Sequence, residues 1–215
     1  MLGRFKPTMF QMMVDCDRID DVFEWHDGLT DTITFYANPK GHLGASLEIE
    51  TLKKNKICNS IIGSVCFKFC HLDKTISILI FTTGKIKISG GYPLNMIAGG
   101  GCPEVLDAYL DELVSEVKNI TQLACGTKKI SCLNGQLHID PFETTSALDS
   151  FLKIHRHKFA VYKQPRFDSP GRRGAYKLYL NAHNKTHIAV DVKGKAQIFA
   201  AKTFVELFLM FRILE

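Results

Sequence analysis

Val65-Cys-Phe-Lys-Phe-Cys-His71, a turn at Leu72-Asp-Lys-Thr75, and Ile76-Ser-Ile-Leu-Ile-Phe-Thr-Thr-Gly-Lys-Ile-Lys-Ile-Ser89 form the stretch that decides the fold. β-Branched and aromatic residues dominate both runs and a polar turn separates them, so they read as antiparallel strands. Successive side chains of a strand leave opposite faces, which allows the residues to be sorted by parity. Ile78, Ile80, Gly84, Ile86 and Ile88 share one face; Leu79, Phe81, Thr83, Lys85, Lys87 and Ser89 share the other. In the partner strand Val65, Phe67 and Phe69 belong to the aliphatic face, and Ile62, Ser64, Cys66, Lys68 and Cys70 to the mixed one.

The aliphatic face needs an apolar cover, and the next segment supplies it. Pro93 and the glycines at 99 to 101 end the sheet, and Pro103 suits the first turn of a helix. From there to Asn119, Val105, Leu106, Tyr109, Leu110, Leu113, Val114 and Val117 recur at helical spacing, with Asp107, Asp111, Glu112 and Glu116 on the opposite side. This gives one sheet layer with helices on one face. The mixed face is left open, offering apolar wedges between lysines and small hydroxyls. Such a surface suits the minor groove of DNA, whose floor carries few distinguishing groups, whose walls are phosphate, and whose base steps apolar side chains can pry apart. Its other use is docking a protein or a second copy of the chain.

A weaker copy of the plan lies downstream: Tyr176-Lys-Leu-Tyr-Leu180, a turn at His183-Asn-Lys-Thr186, Ile188 to Ile198, and an apolar helix from about Thr203. Both copies carry Lys-Thr after the turn and Gly-Lys near the end, with Gly84 and Gly194 110 residues apart. An internal duplication accounts for this order. Each hairpin is preceded by another strand, Thr32 to Asn38 and Ile130 to Ile139, and a short helix, Ala45 to Asn55 and Thr145 to His157. The domains expected are an N-terminal extension over 1–30, with Val14 to Trp25 as an acidic helix or arm, a first repeat over 31–122 and a second over 123–215.

At 215 residues with 46% hydrophobic and 23% charged, the chain resembles ordinary folded proteins and is unlike disordered ones. The net charge of +5 mildly favours an anionic partner. No run reaches the roughly 18 apolar residues of a membrane span, and Arg4, Lys6 and Pro7 precede only a brief apolar stretch without a signal-peptide core or cleavage site. The seven irregularly spaced cysteines argue for reduced thiols in an intracellular compartment. Cys66, Cys70 and His71 lack the second pair that structural zinc needs, so no metal or other cofactor is expected. No nucleophile and base have a supporting context, and an enzyme is not expected.

Leu79-Ile-Phe81-Thr-Thr-Gly84-Lys85 resembles the repeat signature of the TATA-binding protein family, an apolar pair, Phe, two small residues and Gly-Lys. Gly194-Lys-Ala-Gln-Ile-Phe199-Ala-Ala-Lys202 is similar to the family's second-repeat continuation. Tyr162-Lys-Gln-Pro-Arg-Phe167-Asp-Ser-Pro-Gly171 is similar to its Tyr-Glu-Pro-Glu-Leu-Phe-Pro-Gly with one residue inserted. The resemblance covers about Thr32 to the C-terminus. It implies an α+β fold in which two pseudo-symmetric repeats form a curved antiparallel saddle with helices on the convex side. The divergence of the copy suggests a large DNA virus as source.

By the same resemblance the chain is a monomeric, minor-groove-binding and bending transcription initiation factor. Its implied partners are double-stranded, AT-rich DNA and transcription machinery bound through the helical face, with no membrane, in the nucleus or a cytoplasmic viral factory. Phe81 takes an intercalating position and Ile62 replaces the other first-repeat phenylalanine. Lys68, Lys85 and Lys87 meet phosphates, and Leu79, Thr83, Thr32, Thr34 and Ser89 lie along the groove. In the second repeat Phe167, or Arg173 in another register, replaces the wedge; Lys177, Lys193 and Lys195 give a basic surface; and Phe199 stands on the floor. Asp191 departs from the family, which has its intercalating Phe there, and a carboxylate facing the bases repels phosphate. That departure supports the alternative of a protein-interaction platform of the same fold that has lost duplex binding.

Overall fold

Period-two burial runs through the strands. The computed structural model describes residues 5–29, 33–39, 46–98, 101–154, 156–159, 161–163, 175–179 and 185–214. Two compact units emerge, one of Gln11–Gly91 with Asp107–Lys129, the other of Met1–Phe10, Tyr92–Leu106 and Ile130–Glu215. The chain passes between them within β1 (Lys6–Cys16), between Gly91 and Tyr92, within α4 (Pro103–Thr121) and within β7 (Cys125–His138).

In the first unit the strand order is β3 (Leu47–Glu48), β2 (Tyr36–Pro39), β4 (Ile62–His71), β5 (Lys74–Phe81), β6 (Lys85–Gly90), β1. The pairings β3–β2–β4–β5–β6 are antiparallel. Ile76, Ile78, Ile80, Ile86 and Ile88 are buried to 2% exposure or less, together with Val65 and Phe67. Leu110, Leu113 and Val117 of α4 are buried as well. Each such side chain contributes about 1.5–3 kcal/mol relative to its exposed state, so this aliphatic layer determines which face of the sheet is inside. The parity expected from Ile76 to Ser89 survives although a turn at Thr82–Gly84 interrupts the run. Phe81 pairs with Lys85 across that three-residue turn, and paired residues share a face.

In the second unit the order is β7, β11 (Lys195–Ala201), β10 (His187–Val190), β9 (Tyr176–Tyr179), β8 (Val161–Lys163), again antiparallel. Ile188, Val190, Ala196, Ile198, Leu178, Leu207 and Phe211 are buried; the last two come from α6 (Phe204–Leu214). Phe5 is fully buried in this unit, its ring centroid 4.9 Å from Phe211 and 5.1 Å from Phe208. Gly135 makes room for it, since a Cβ there would lie 2.7 Å from the Phe5 ring.

The N-terminal segment is therefore not an extension. Phe10, Met12 and Val14 alternate inward along β1, and the supposed acidic arm is the end of this strand followed by α1 (Val22–Asp27). The elements that precede the two hairpins correspond as β1–α1 and β7–α5 (Thr145–Ile154), not as Thr32–Asn38 and Ile130–Ile139. Cys16 N–H donates to the Gly84 carbonyl as Ile139 N–H does to Gly194, and Ile19 to Thr82 as Phe142 to Val192. Asp21 caps α1 by accepting from Glu24 N–H, as Thr144 accepts from Ala147 N–H. The shorter helices are α2 (Ile49–Lys54) and α3 (Leu94–Ile97).

Candidate nucleic-acid interface

On the first unit's open face, cross-strand register lines up three rows. Asn38, Ser64, Phe81 and Lys85 form one; Tyr36, Cys66, Leu79 and Lys87 the next; Lys68, Ser77 and Ser89 the third. Phe81 and Leu79 are half-buried and Lys68 and Lys85 exposed. Thr34, Tyr36, Lys68, Leu79, Lys87 and Ser89 help to line a recess of about 750 Å³ in this face.

Electrostatics divides the unit. Lys128 meets Asp107 at 3.2 Å and Asp111 on α4, and Lys53 bonds Glu50 and Asp27. Lys68, Lys85 and Lys87 have no carboxylate partner among the described residues; the acidic side chains of this face are Glu48 on β3, opposite Tyr36, and Asp15 on β1, and neither is bonded to these lysines. Lysines that bond no carboxylate attract phosphate, and apolar groups between them suit base edges.

Some expected positions move. Ile62 is 4% exposed and belongs to the inner face, because the register slips between the Asn38–Ser64 and Pro39–Ile62 pairs and reverses parity there. Ser64, not Ile62, stands opposite Phe81. Thr83 is exposed in the turn, not on a strand. Thr32, Phe167 and Arg173 lie outside the described residues. Tyr36 and Asn38 stand on this face at alternate positions after Thr34 and are not among the expected residues.

In the second unit Lys177 is exposed on β9, in one row with Ala189, Gln197 and Gln136. Lys193 is exposed in the β10–β11 turn and Lys195 half-buried at its end. Phe199 stacks on His187, which stacks on Tyr179. Asp191 occupies the position equivalent to Phe81, but its carboxylate turns back onto its own turn. Oδ1 accepts from the backbone N–H of Lys193 at 2.9 Å and of Lys195 at 3.1 Å. The second unit thus has no wedge at this position and a capped turn in its place.

His26, Asp27 and Glu50 cluster closely enough to resemble a metal site. The Lys53 ammonium bonds both carboxylates and occupies the cation's place. Cys16 and Cys125 are not activated thiols: burial, with Cys125 and nearby aspartates adding to it, pushes Cys16 up to about 11, and burial raises Cys125 as well.

No family model and no curated protein matches the chain. Among solved structures it is similar to the TBP of Methanococcus jannaschii, with a TM-score of 0.52 at 15% identity over 97% of this chain and 94% of that one. At that identity the likeness shows the fold, which is TBP-like and α+β.

Proposed function

We propose that this chain is a non-enzymatic DNA-binding protein of the transcription-initiation type, a divergent relative of the TBP family. It engages the minor groove of AT-rich duplexes through its open sheet faces and recruits transcription proteins through its helices. The observation that carries this reading is the first unit's open face, where Phe81 and Leu79 stand among Lys68, Lys85 and Lys87, none of them bonded to a carboxylate among the described residues. Phe81 is the wedge and the lysines straddle the phosphate walls. The likeness of the fold to an archaeal TBP supports the same reading, as do the cysteines, all of them free, for a reducing intracellular site where DNA is transcribed. The protein works as a monomer with two unequal halves.

Asp191 favours a second reading, a protein-interaction platform that no longer holds duplex DNA, because the second unit has lost its wedge. Anisotropy titrations on AT-rich and GC-rich duplexes over a salt series separate the two. Preference for AT with affinity falling steeply in salt supports DNA binding; absence of binding at low salt leaves the platform.

A further inference from the structure

On the second unit's open face, β9, β10 and β11 set Tyr179, His187 and Phe199 directly opposite one another. Their rings form a ladder, with centroids 5.0 Å apart at 28° between Tyr179 and His187 and 5.2 Å apart at 24° between His187 and Phe199. A ring held on both faces cannot turn over without unstacking. His187 Nδ1 lies 2.9 Å from the carbonyl oxygen of Lys185. A carbonyl only accepts, so Nδ1 carries the proton and Nε2, at the far edge of the ring, is bare in the neutral form.

This fixed tautomer has a direct consequence in the minor groove, where an A·T pair presents only acceptors and a G·C pair adds the guanine 2-amino donor. We propose that His187 is a base-reading residue of the second unit's sheet face, an inference that rests on the DNA-binding reading above. Neutral His187 accepts from the guanine 2-amino group; protonated His187 donates to the acceptors of an A·T pair. Its neighbours on the face are Tyr179 and Lys177 on β9, Lys185 and Asp191 flanking β10, and Lys195 on β11. Phenol, ammonium and carboxylate side chains as classes keep their charge between about pH 5.5 and about pH 8, the range in which imidazoles change theirs. Among the described residues His138, opposite Lys195 on β7 and bonded to Gln136, is the other imidazole of this face.

The test is anisotropy of the full chain on three duplexes, all-A·T, G·C-substituted and inosine·C-substituted, at about pH 5.5 and about pH 8 and equal ionic strength. Inosine removes only the 2-amino group. The A·T over G·C preference should fall about tenfold from the lower to the higher pH, inosine·C should lose the gain that G·C shows at the higher pH, and His187→Gln should abolish the shift while His138→Gln keeps it. A preference that does not change with pH, inosine·C behaving as G·C, or an undiminished shift in His187→Gln would overturn the assignment. The native-protein comparison of inosine·C with G·C decides the matter even where a variant misfolds. Binding without the pH shift removes this inference alone, whereas no binding to any duplex removes the DNA-binding reading with it.

Discussion

Phe81 and Asp191 hold equivalent places in the two repeats and do opposite things. Phe81 is half-buried on the open face opposite Ser64 and Lys85, so Phe81→Ala should leave the melting temperature nearly unchanged and weaken duplex affinity about tenfold, within the roughly 1–3 kcal/mol that an aromatic contact with a base supplies. Loss of the fold with no loss of affinity per folded molecule would make Phe81 a core residue. Asp191→Asn keeps the Oδ1 acceptor for the Lys193 and Lys195 amides and removes a charge, so affinity should rise roughly a few-fold at low salt with unchanged stability. Asp191→Phe removes the acceptor as well, and calorimetry should show a cost of about 1–3 kcal/mol for the two amides left without it. At this scale the sequence was informative wherever strand parity held, as for Leu79, Phe81, Lys85 and Lys87. It misplaced Ile62, because a register slip is set by the neighbouring strand and leaves no local signal, and it could not foresee that the Asp191 carboxylate would bond its own turn.

The hairpins, α4 and the second repeat were legible because β-branched runs, helical spacing and Gly-Lys pairs are local patterns. The role of β1 was not: Phe10, Met12 and Val14 alternate, but the aspartates at 15, 17, 20 and 21 drew the reading toward an acidic arm. Only long-range bonds such as Cys16 N–H to Gly84 O show that this strand belongs to the repeat. The same bonds yield a paired prediction. Gly84 and Gly194 have φ of +94° and +76°, and a Cβ would lie 2.8 Å from the Cys16 carbonyl oxygen and 2.2 Å from that of Ile139. Gly84→Ala and Gly194→Ala should each destabilise by more than about 1 kcal/mol in chemical denaturation. If either is neutral, the equivalence of the two turns is lost.

Taken as a whole, the molecule is two versions of one design that have diverged in their open faces while keeping their cores. Isoleucines and helix residues of both repeats remain buried; the open face of the first repeat carries Phe81 among lysines that bond no carboxylate among the described residues, and that of the second has an aromatic ladder with a capped turn. A bare platform would not require three lysines left without a bonded carboxylate, whereas contact with a polyanion uses them. The direct test is the salt dependence of duplex binding by the native chain and by the Lys68→Ala/Lys85→Ala/Lys87→Ala variant. If the three ammonium groups meet phosphates, the slope of log affinity against log salt should become shallower by about 2 to 3 in the variant, at about 0.9 per phosphate contact, with the fold intact by circular dichroism. Equal slopes for the two proteins, or no duplex binding by the native chain at low salt, would contradict the account.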